Sequence, residues 1–219
     1  MTSRSQNSKS LLDSSCIVFW DFDGVIKDTM EVKGCAYERL FLPYGNEVAR
    51  RVRKHHEGNG GVSRFDKIPL YLSWAGEVAM PEQVQAFCDR FSQVVLQAVI
   101  DSPWVPGVRE YLLRHCYERY FVLLTAVPQE EIERILTTLE ISHCFSEVHG
   151  APTEKGSAIG AVLVRQKCKA EHALMIGDTE QDYQAAQLNL VPFILRRTPF
   201  NLSTQARYDV PMFFDLNDE

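Results

Sequence analysis

The chain has 219 residues, a formal net charge of −6 and 45% hydrophobic residues, a composition typical of a globular protein with one main core. The negative charge argues against nonspecific nucleic-acid binding, and the apolar runs are too short to cross a membrane. Its six cysteines include no Cys-x-x-Cys pair, which fits neither a zinc motif nor a disulfide scaffold, so we expect reduced thiols and a cytoplasmic protein.

The amino-terminal segment leads into the first predicted strand. Residues 1–15 are rich in serine and lack the apolar stretch of a secretory signal, so we expect a disordered tail. Residues 16–20 (CIVFW) predict a buried strand. Asp21 and Asp23 follow, and because alternate side chains of a strand point the same way, both carboxylates should lie near its carboxyl end. A hard divalent cation such as Mg²⁺ would relieve their repulsion.

Residues 30–103 differ from the rest of the chain because they contain several helix-like patterns and few β-like runs. We predict that this segment is an all-helical insertion that lies above the acidic pair. Its glycine-rich stretch, residues 58–61, is followed by Arg64 and Lys67, which we predict to bind a phosphate or carboxylate of a substrate. A surface loop with solvated charges is the alternative for this stretch.

After residue 103 the pattern alternates between apolar strands and amphipathic helices. Strands are predicted at residues 120–124, 173–176 and 191–195. Apolar strands separated by helices are typical of a parallel α/β sheet, so the predicted fold is a Rossmann-like, three-layer α/β core made of residues 16–29 and 104–219. Ligands of such sheets bind beyond the carboxyl ends of the strands.

Polar residues stand at or just after the ends of these strands. Thr125 ends the first of the three, Lys155 begins a predicted helix, and Asp178 follows the second, with Asp182 four residues on. Together with the acidic pair, these groups suit phosphoryl transfer, in which cations neutralise the phosphoryl oxygens and one carboxylate attacks in line. Arg196, at the end of the last clear strand, is expected to be solvated.

Four short motifs occur along the chain: DFDGVIKDT at residues 21–29, LLTA at 123–126, Lys155, and GDTEQD at 177–182. This ordered set, with a helical insertion after the first motif, resembles the haloacid dehalogenase-like hydrolase superfamily over most of the chain. The position of the insertion is similar to that in members with a helical cap, which include phosphoglycolate phosphatase-like and β-phosphoglucomutase-like enzymes.

The resemblance implies a catalytic role for several motif residues. Asp21 would be the nucleophile that forms an aspartyl-phosphate, and Asp23 would protonate the leaving oxygen and then activate water. Thr125 and Lys155 would hold the transferring phosphoryl group. Members that break carbon–halogen bonds lack an acid at the second position, so Asp23 favours a phosphate ester as substrate.

The resemblance also implies a Mg²⁺ site beside the nucleophile. Its ligands would be the carboxylates of Asp21 and Asp178 and the backbone carbonyl of Asp23. Asp182 would assist, either as a ligand or through hydrogen bonds to the ligands.

The predicted function is hydrolysis of a small phosphorylated metabolite with Mg²⁺ as cofactor and without nucleic-acid or membrane partners; the substrate and the oligomeric state stay open. The first alternative is a phosphomutase that passes the phosphoryl group to a second sugar hydroxyl. A non-catalytic binding or regulatory protein would need a broken motif, and none of the four is broken. An Asp-x-Asp pair also holds a metal in nucleotide-sugar transferases, but nothing else in the sequence supports that class.

Overall fold

The computed structural model describes residues 10–217 of the chain. Within them, the strands form one six-stranded sheet in the order β3-β2-β1-β4-β5-β6, and neighbouring strands are parallel. The strands are β1 Ile17–Trp20, β2 Tyr120–Pro128, β3 Glu147–Ala151, β4 Ala173–Gly177, β5 Phe193–Arg196 and β6 Met212–Phe213. The predicted parallel α/β fold is confirmed, although the sequence pattern predicts neither β3 nor β6.

β1 lies in the middle of the sheet and is buried on both faces. Val18 and Trp20 pack into the core on one face, whereas Ile17 and Phe19 pack into the core on the other. A strand that is covered on both faces needs an unbroken apolar run, which explains why β1 contains no polar side chain.

The register of β1 with its neighbours brings the motif residues to one edge of the sheet. Trp20 pairs with Leu123 of β2 and with Ile176 of β4. Because the strands are parallel, the residues that follow these three positions emerge together at the carboxyl edge. This edge therefore receives Asp21 after β1 and Asp178 after β4.

Helices cover both faces of the sheet, which makes a three-layer core. After a short helical segment at residues 10–14, the helices in chain order are α1 Met30–Phe41, α2 Asn46–Gly58, α3 Arg64–Trp74, α4 Pro81–Asp101, α5 Val108–His115, α6 Gln129–Thr138, α7 Lys155–Gln166, α8 Glu180–Leu188 and α9 Leu202–Arg207. Short 3-10 turns lie at Leu42–Tyr44, Ser142–Cys144 and Ala170–His172. Helices α5 and α6 bury Leu112 and Ile135 on the Trp20 face, and α7 and α8 bury Ile159 and Ala186 on the opposite face. Within residues 10–217, no helix has both the length and the apolar character needed to span a membrane.

Helices α1 to α4 lie between β1 and β2 and form the inserted helical cap. Aromatic side chains fill its interior: the ring of Tyr37 stacks on Phe91 at a centroid distance of 4.0 Å and meets Tyr71 edge-on at 5.5 Å. The rings of Phe41 and Phe87 continue the cluster at 5.3 Å. Such rings bury a large apolar area each, so they give the cap a well-packed interior.

Ordered structure begins earlier than the sequence predicts. Of the predicted disordered tail, residues 1–9 lie outside the described residues, whereas residues 10–14 are helical. Leu12 is buried, and Arg119 donates hydrogen bonds to the backbone carbonyls of Leu12 (2.5 Å) and Asp13 (2.9 Å). These contacts fix the approach to β1.

Candidate active site

Asp21 follows β1 directly and is held by both the sheet and its own loop. Its backbone N–H donates to the carbonyl of Ile176 at 3.0 Å, which continues the ladder with β4. Its carboxylate is buried, and Oδ1 accepts a hydrogen bond from the N–H of Phe22 at 2.7 Å. The same oxygen lies 2.8 Å from Nζ of Lys155. The carboxylate therefore has a fixed position at the carboxyl edge of the sheet.

Lys155, the first residue of α7, links two carboxylates. Its Nζ lies 2.8 Å from Asp21 and 2.6 Å from Asp182. Burial alone would lower the pKa of this ammonium, but Asp182 and Asp21 outweigh burial, so the pKa of Lys155 is raised and the side chain stays charged. The site thus contains a fixed positive charge next to Asp21.

Asp21, Asp178 and Asp182 form a buried acidic cluster, in which one carboxylate oxygen from each lies within 4.8 Å of the others. Burial, and then repulsion from Asp182, raises the pKa of Asp21 to about 8. Burial and repulsion from Asp21 raise the pKa of Asp178 well above its usual range. Within residues 10–217, Oδ1 of Asp178 is buried without a hydrogen-bond partner. An orphaned oxygen among crowded acids fits a hard divalent cation.

Asp182 differs from the other two acids because both of its oxygens are engaged. Oδ1 contacts Lys155 at 2.6 Å, while Oδ2 accepts hydrogen bonds from the N–H (3.0 Å) and the hydroxyl (2.6 Å) of Thr179. The Thr179 hydroxyl accepts in turn from the N–H of Asp182, which closes a capping box at the start of α8. These contacts favour a supporting role for Asp182 over direct coordination of a metal.

Gly24 lets the loop after β1 approach the end of β4. Its φ of +73° lies in the left-handed region, which favours glycine. A Cβ at this position would lie 2.2 Å from Oδ2 of Asp178, well inside contact distance. Any side chain here would therefore displace Asp178 from the acidic cluster.

Thr125 lies within β2, which continues to Pro128 and does not end at residue 124 as predicted. Its hydroxyl is buried and accepts a hydrogen bond from the N–H of Val127 at 3.2 Å. Thr125 and Lys155 line the same open cavity of about 660 Å³, to which both the core and the cap contribute side chains. A cavity of this size suits a small-molecule ligand.

Asp23 makes its hydrogen bonds toward the cap. Its oxygens accept from the hydroxyl of Thr29 (2.6 Å) and from Nζ of Lys33 in α1 (2.5 Å). Burial opposes ionisation of Asp23, but Lys33 and then Thr29 outweigh burial, so its pKa is lowered. Asp23 is therefore ionised in this arrangement. Sequence reasoning missed Lys33, because it resembles any other helix lysine until folding brings α1 onto the loop.

Arg64 joins the cap to the core. Its guanidinium is buried and donates two hydrogen bonds to Glu131 of α6, at 2.7 and 2.9 Å. It also donates to the hydroxyl of Ser92 in α4 at 2.6 Å, and Ser92 donates to Glu131 at 2.6 Å. Because Arg64 is buried, the alternative of a solvated loop is wrong for this residue. Its guanidinium is already paired with Glu131, a partner that sequence reasoning missed.

Lys67 is also buried, but its partners are uncharged. Its Nζ lies 3.0 Å from Nδ1 of His56, whose pKa burial holds well below its usual range, and 3.5 Å from the carbonyl of Gly60. Burial, and then repulsion from Lys33, lowers the pKa of Lys67 to about 7. Lys67, Lys33 and Asp23 line one small cavity of about 20 Å³, which has room for about one water molecule. Positive charge therefore accumulates on the cap side of Asp23.

Arg196 is buried, although the sequence analysis predicts a solvated side chain. It donates to both carboxylate oxygens of Asp28, at 2.6 and 3.1 Å, and to the carbonyl of Gly24 at 3.2 Å. It thereby ties the end of β5 to the loop that carries Asp21 and Asp23. The sequence did contain a signal for this contact between Arg196 and Asp28. In a parallel sheet, the carboxyl ends of β1 and β5 lie at the same edge.

A parallel α/β core with a helical cap, and a buried acidic cluster with a lysine at the carboxyl edge of the sheet, define the class of this protein. The family model for haloacid dehalogenase-like hydrolases matches residues 18–195, and the chain belongs to this family. The family predicted from the four motifs is confirmed.

Two curated relatives carry the same name. The chain is 23% identical over 184 residues to the phosphoglycolate phosphatase of Pseudomonas putida; the match covers 78% of this chain and 65% of the relative, so the chain spans about two thirds of that protein's length. It is 26% identical over 181 residues to the phosphoglycolate phosphatase of Aliivibrio fischeri, with 78% of this chain and 79% of the relative covered.

Solved structures show the same fold at low sequence identity. A β-phosphoglucomutase of Clostridium difficile superposes with a TM-score of 0.73 at 15% identity, covering 93% of this chain and 92% of the other. A predicted phosphoglycolate phosphatase of Haemophilus somnus gives a TM-score of 0.68 at 16% identity, covering 92% and 95%. At these identities the likeness concerns the fold alone, including the helical cap.

Proposed function

We propose that this chain is a phosphatase that hydrolyses a small phosphomonoester through an aspartyl-phosphate on Asp21. The observation that carries the proposal is the buried Asp21 carboxylate, fixed by Lys155 and set beside Asp178 at the carboxyl edge of the sheet. The cavity lined by Lys155 and Thr125 offers room for a phosphoryl group and its leaving group. Membership of a hydrolase family supports the same class of reaction.

We infer that the acidic cluster holds Mg²⁺ through the carboxylates of Asp21 and Asp178 and the backbone carbonyl of Asp23. The orphaned Oδ1 of Asp178 and the raised pKa values of the two clustered acids fit a hard cation with oxygen ligands. When bound, such an ion neutralises phosphoryl oxygens. Asp182 supports the site through its contact with Lys155.

The side chains divide the reaction between them. Oδ1 of Asp21 is held by Lys155 and by the N–H of Phe22, which leaves Oδ2 for in-line attack on phosphorus. Lys155 and the hydroxyl of Thr125 bind the phosphoryl oxygens while the bond to the leaving oxygen breaks. Asp23 is ionised beside Lys33 in this arrangement, so it has to take up a proton before the ester bond breaks. It then gives that proton to the leaving oxygen and later takes one from the water that hydrolyses the aspartyl-phosphate.

The cap side of the site favours a leaving group that carries its own negative charge. Asp23 lines the same cavity as Lys33 and Lys67. When the leaving oxygen of a substrate lies beside Asp23, the rest of the substrate would therefore extend toward these two lysines. Lys67 is a buried amine with uncharged partners, so a carboxylate or second phosphate of the substrate would supply its missing counter-ion. The cavity holds about one water in this arrangement, so the cap has to open to admit an anion.

A phosphomutase is the second candidate, because a β-phosphoglucomutase shares the fold and the cap. The two functions differ in the fate of the phosphoryl group, which a phosphatase passes to water and a mutase passes to a second sugar hydroxyl. Phosphate released promptly without a bisphosphate primer favours the phosphatase. Isomerised product that appears only with such a primer favours the mutase.

The test is phosphate release across a broad panel of phosphorylated metabolites, with and without Mg²⁺. Asp21→Asn serves as the blank, since it keeps the shape of the side chain and removes the nucleophile. We expect turnover of at least one anionic phosphomonoester and a loss of at least about 10³-fold in the variant. Wild-type turnover by a folded Asp21→Asn protein would rule out the mechanism.

A further inference from the structure

A second cluster of side chains that can bind a metal lies at the amino ends of the strands, whereas Asp21 lies at their carboxyl ends. Cys116 is the C-cap of α5, just before β2, whereas His143 and Cys144 belong to the turn Ser142–Cys144 before β3. Because β2 and β3 are parallel neighbours, the turns that precede them meet at the amino edge of the sheet. The catalytic carboxylates lie at the other end of the same strands, so the two sites are separate.

The geometry of this cluster suits one shared ion. One ligand atom from each of the three side chains lies within 4.8 Å of the other two. Nε2 of His143 is 3.7 Å from Sγ of Cys144. A tetrahedral zinc ion, with Zn–S of about 2.3 Å and Zn–N of about 2.0 Å, holds sulfur and nitrogen roughly 3.5 Å apart. The side chains therefore need only small adjustments to bind it.

The ligand types select zinc over magnesium. Cys116 and Cys144 are free thiols, and thiolate with imidazole is a donor set that zinc prefers, whereas the carboxylate cluster at the active site suits Mg²⁺. Cys144 is buried, Cys116 is half-buried and His143 is exposed, so one side of the ion would stay open to water. The ring of Tyr117 lies roughly parallel to that of His143, with 6.4 Å between the centroids.

The two thiols make only weak contacts that a bound metal ion would have to replace. Sγ of Cys116 donates to the carbonyl of Leu113 at 3.5 Å, which is long for a strong bond. The Sγ atom of Cys144 lies 3.7 Å from Nε2 of His143, which is a long contact. Metal binding displaces the protons of both thiols to solvent.

We propose that Cys116, His143 and Cys144 bind one Zn²⁺ ion, with a water molecule as the fourth ligand. Each thiol loses its proton to solvent, and the ion then links the turns that precede β2 and β3. The sequence hides this site, because the cysteines lack Cys-x-x-Cys spacing and only the pairing of β2 with β3 brings the three ligands together.

Cobalt is a suitable probe for this site, because a cobalt–thiolate bond gives charge-transfer absorption in the near ultraviolet that carboxylate ligands do not give. We expect Co²⁺ added to the reduced full-length protein to produce this absorption. The absorption should reach its maximum at one equivalent of Co²⁺ and should disappear when added Zn²⁺ displaces the cobalt. The absorption should disappear in Cys144→Ser and in Cys116→Ser. In His143→Ala, which changes an exposed side chain, cobalt affinity should fall at least about tenfold.

Two control variants locate the bound cobalt. Cys35→Ser alters an exposed thiol in the cap and should leave the absorption unchanged. Asp178→Asn alters the active-site acids and should also leave it unchanged. The proposal is overturned if reduced wild-type protein shows no thiolate absorption, or if the absorption survives in a folded Cys144→Ser or Cys116→Ser protein. A Cys116–Cys144 disulfide that persists in the reducing titration buffer contradicts it equally.

Discussion

The core side and the cap side of the active site carry opposite charges. On the core side, Asp21, Asp178 and Asp182 are buried around one lysine. On the cap side, Lys33 and Lys67 are buried around the carboxylate of Asp23 and a small cavity. In the function that we propose, the core side would hold a cation and carry out bond cleavage, whereas the cap side would bind an anionic group and select the substrate. Variants on the two sides should accordingly affect different kinetic constants.

Removing the cation from the core side should have the largest effect. Chelation of Mg²⁺ should abolish turnover, and Asp178→Asn should lower kcat/KM at least about 10²-fold and raise the Mg²⁺ concentration needed for half-maximal rate. Activity titrations with Mg²⁺ measure both. Unchanged turnover in metal-free enzyme would rule out a catalytic role for the cation.

A steric test of the core side uses two glycines with positive φ. Gly24→Ala would place a Cβ 2.2 Å from Asp178, whereas Gly45, with φ +103°, has no atom within 4 Å of its Cβ position. We expect Gly24→Ala to lose about 10²-fold in kcat, since small displacements of catalytic groups cost that much. Gly45→Ala should share the backbone strain but keep its kcat. Equal kinetics for the two variants would show that the contact with Asp178 is unimportant.

The junction between the two sides depends on Arg64 and Glu131. Glu131→Ala leaves the buried guanidinium without its carboxylate and should lower the free energy of unfolding by about 3 kcal/mol. Glu171→Ala, from an exposed pair with Lys169, is the matched control and should cost less than about 1 kcal/mol. Urea denaturation followed by circular dichroism measures the difference, and similar losses in the two variants would refute a stabilising junction.

The smallest expected effect concerns KM on the cap side. Lys67→Met should raise KM for an anionic substrate about tenfold, since a buried charge-assisted contact is lost, with little change in kcat. Lys67 lines a small cavity together with Lys33, His56 and Asp23, and its pKa is lowered to about 7. Its positive charge is therefore present below that pH and lost above it. Substrate affinity should therefore weaken as the pH rises through about 7.

Lys67→Arg is the control for this pH dependence, because a guanidinium stays charged across the range. Plots of log(kcat/KM) against pH should show an alkaline limb for the wild type that Lys67→Arg lacks. Identical pH profiles, together with an unchanged KM in Lys67→Met, would leave Lys67 without a role in substrate binding.

The same contrast explains how much the sequence could predict. The core-side groups follow apolar strands, and parallel pairing brings strand ends together, so Asp21, Lys155 and Asp178 could be found from short motifs and their order. β3 and β6 escaped prediction because β3 has a half-polar sequence and β6 has two residues, too little for a periodic pattern.

Cap-side and junction residues could not be predicted with equal success. Lys33 and Glu131 look like ordinary helix residues, and their roles depend on how the cap helices lie against the core. Arg196 was expected to be solvated, but it pairs with Asp28 because the ends of β1 and β5 reach the same edge of the sheet. Tertiary contacts between distant segments, and not local patterns, determine these roles.

Trapping the covalent intermediate tests most directly whether the buried carboxylate of Asp21 attacks phosphorus. The enzyme would be mixed with its best panel substrate and Mg²⁺, quenched in acid during turnover, reduced with borohydride and analysed by peptide mass spectrometry. Borohydride converts an aspartyl-phosphate to homoserine, so attack by Asp21 should leave homoserine at position 21 and unmodified Asp23 and Asp178. Homoserine at another position, or none while phosphate is being released, would contradict it.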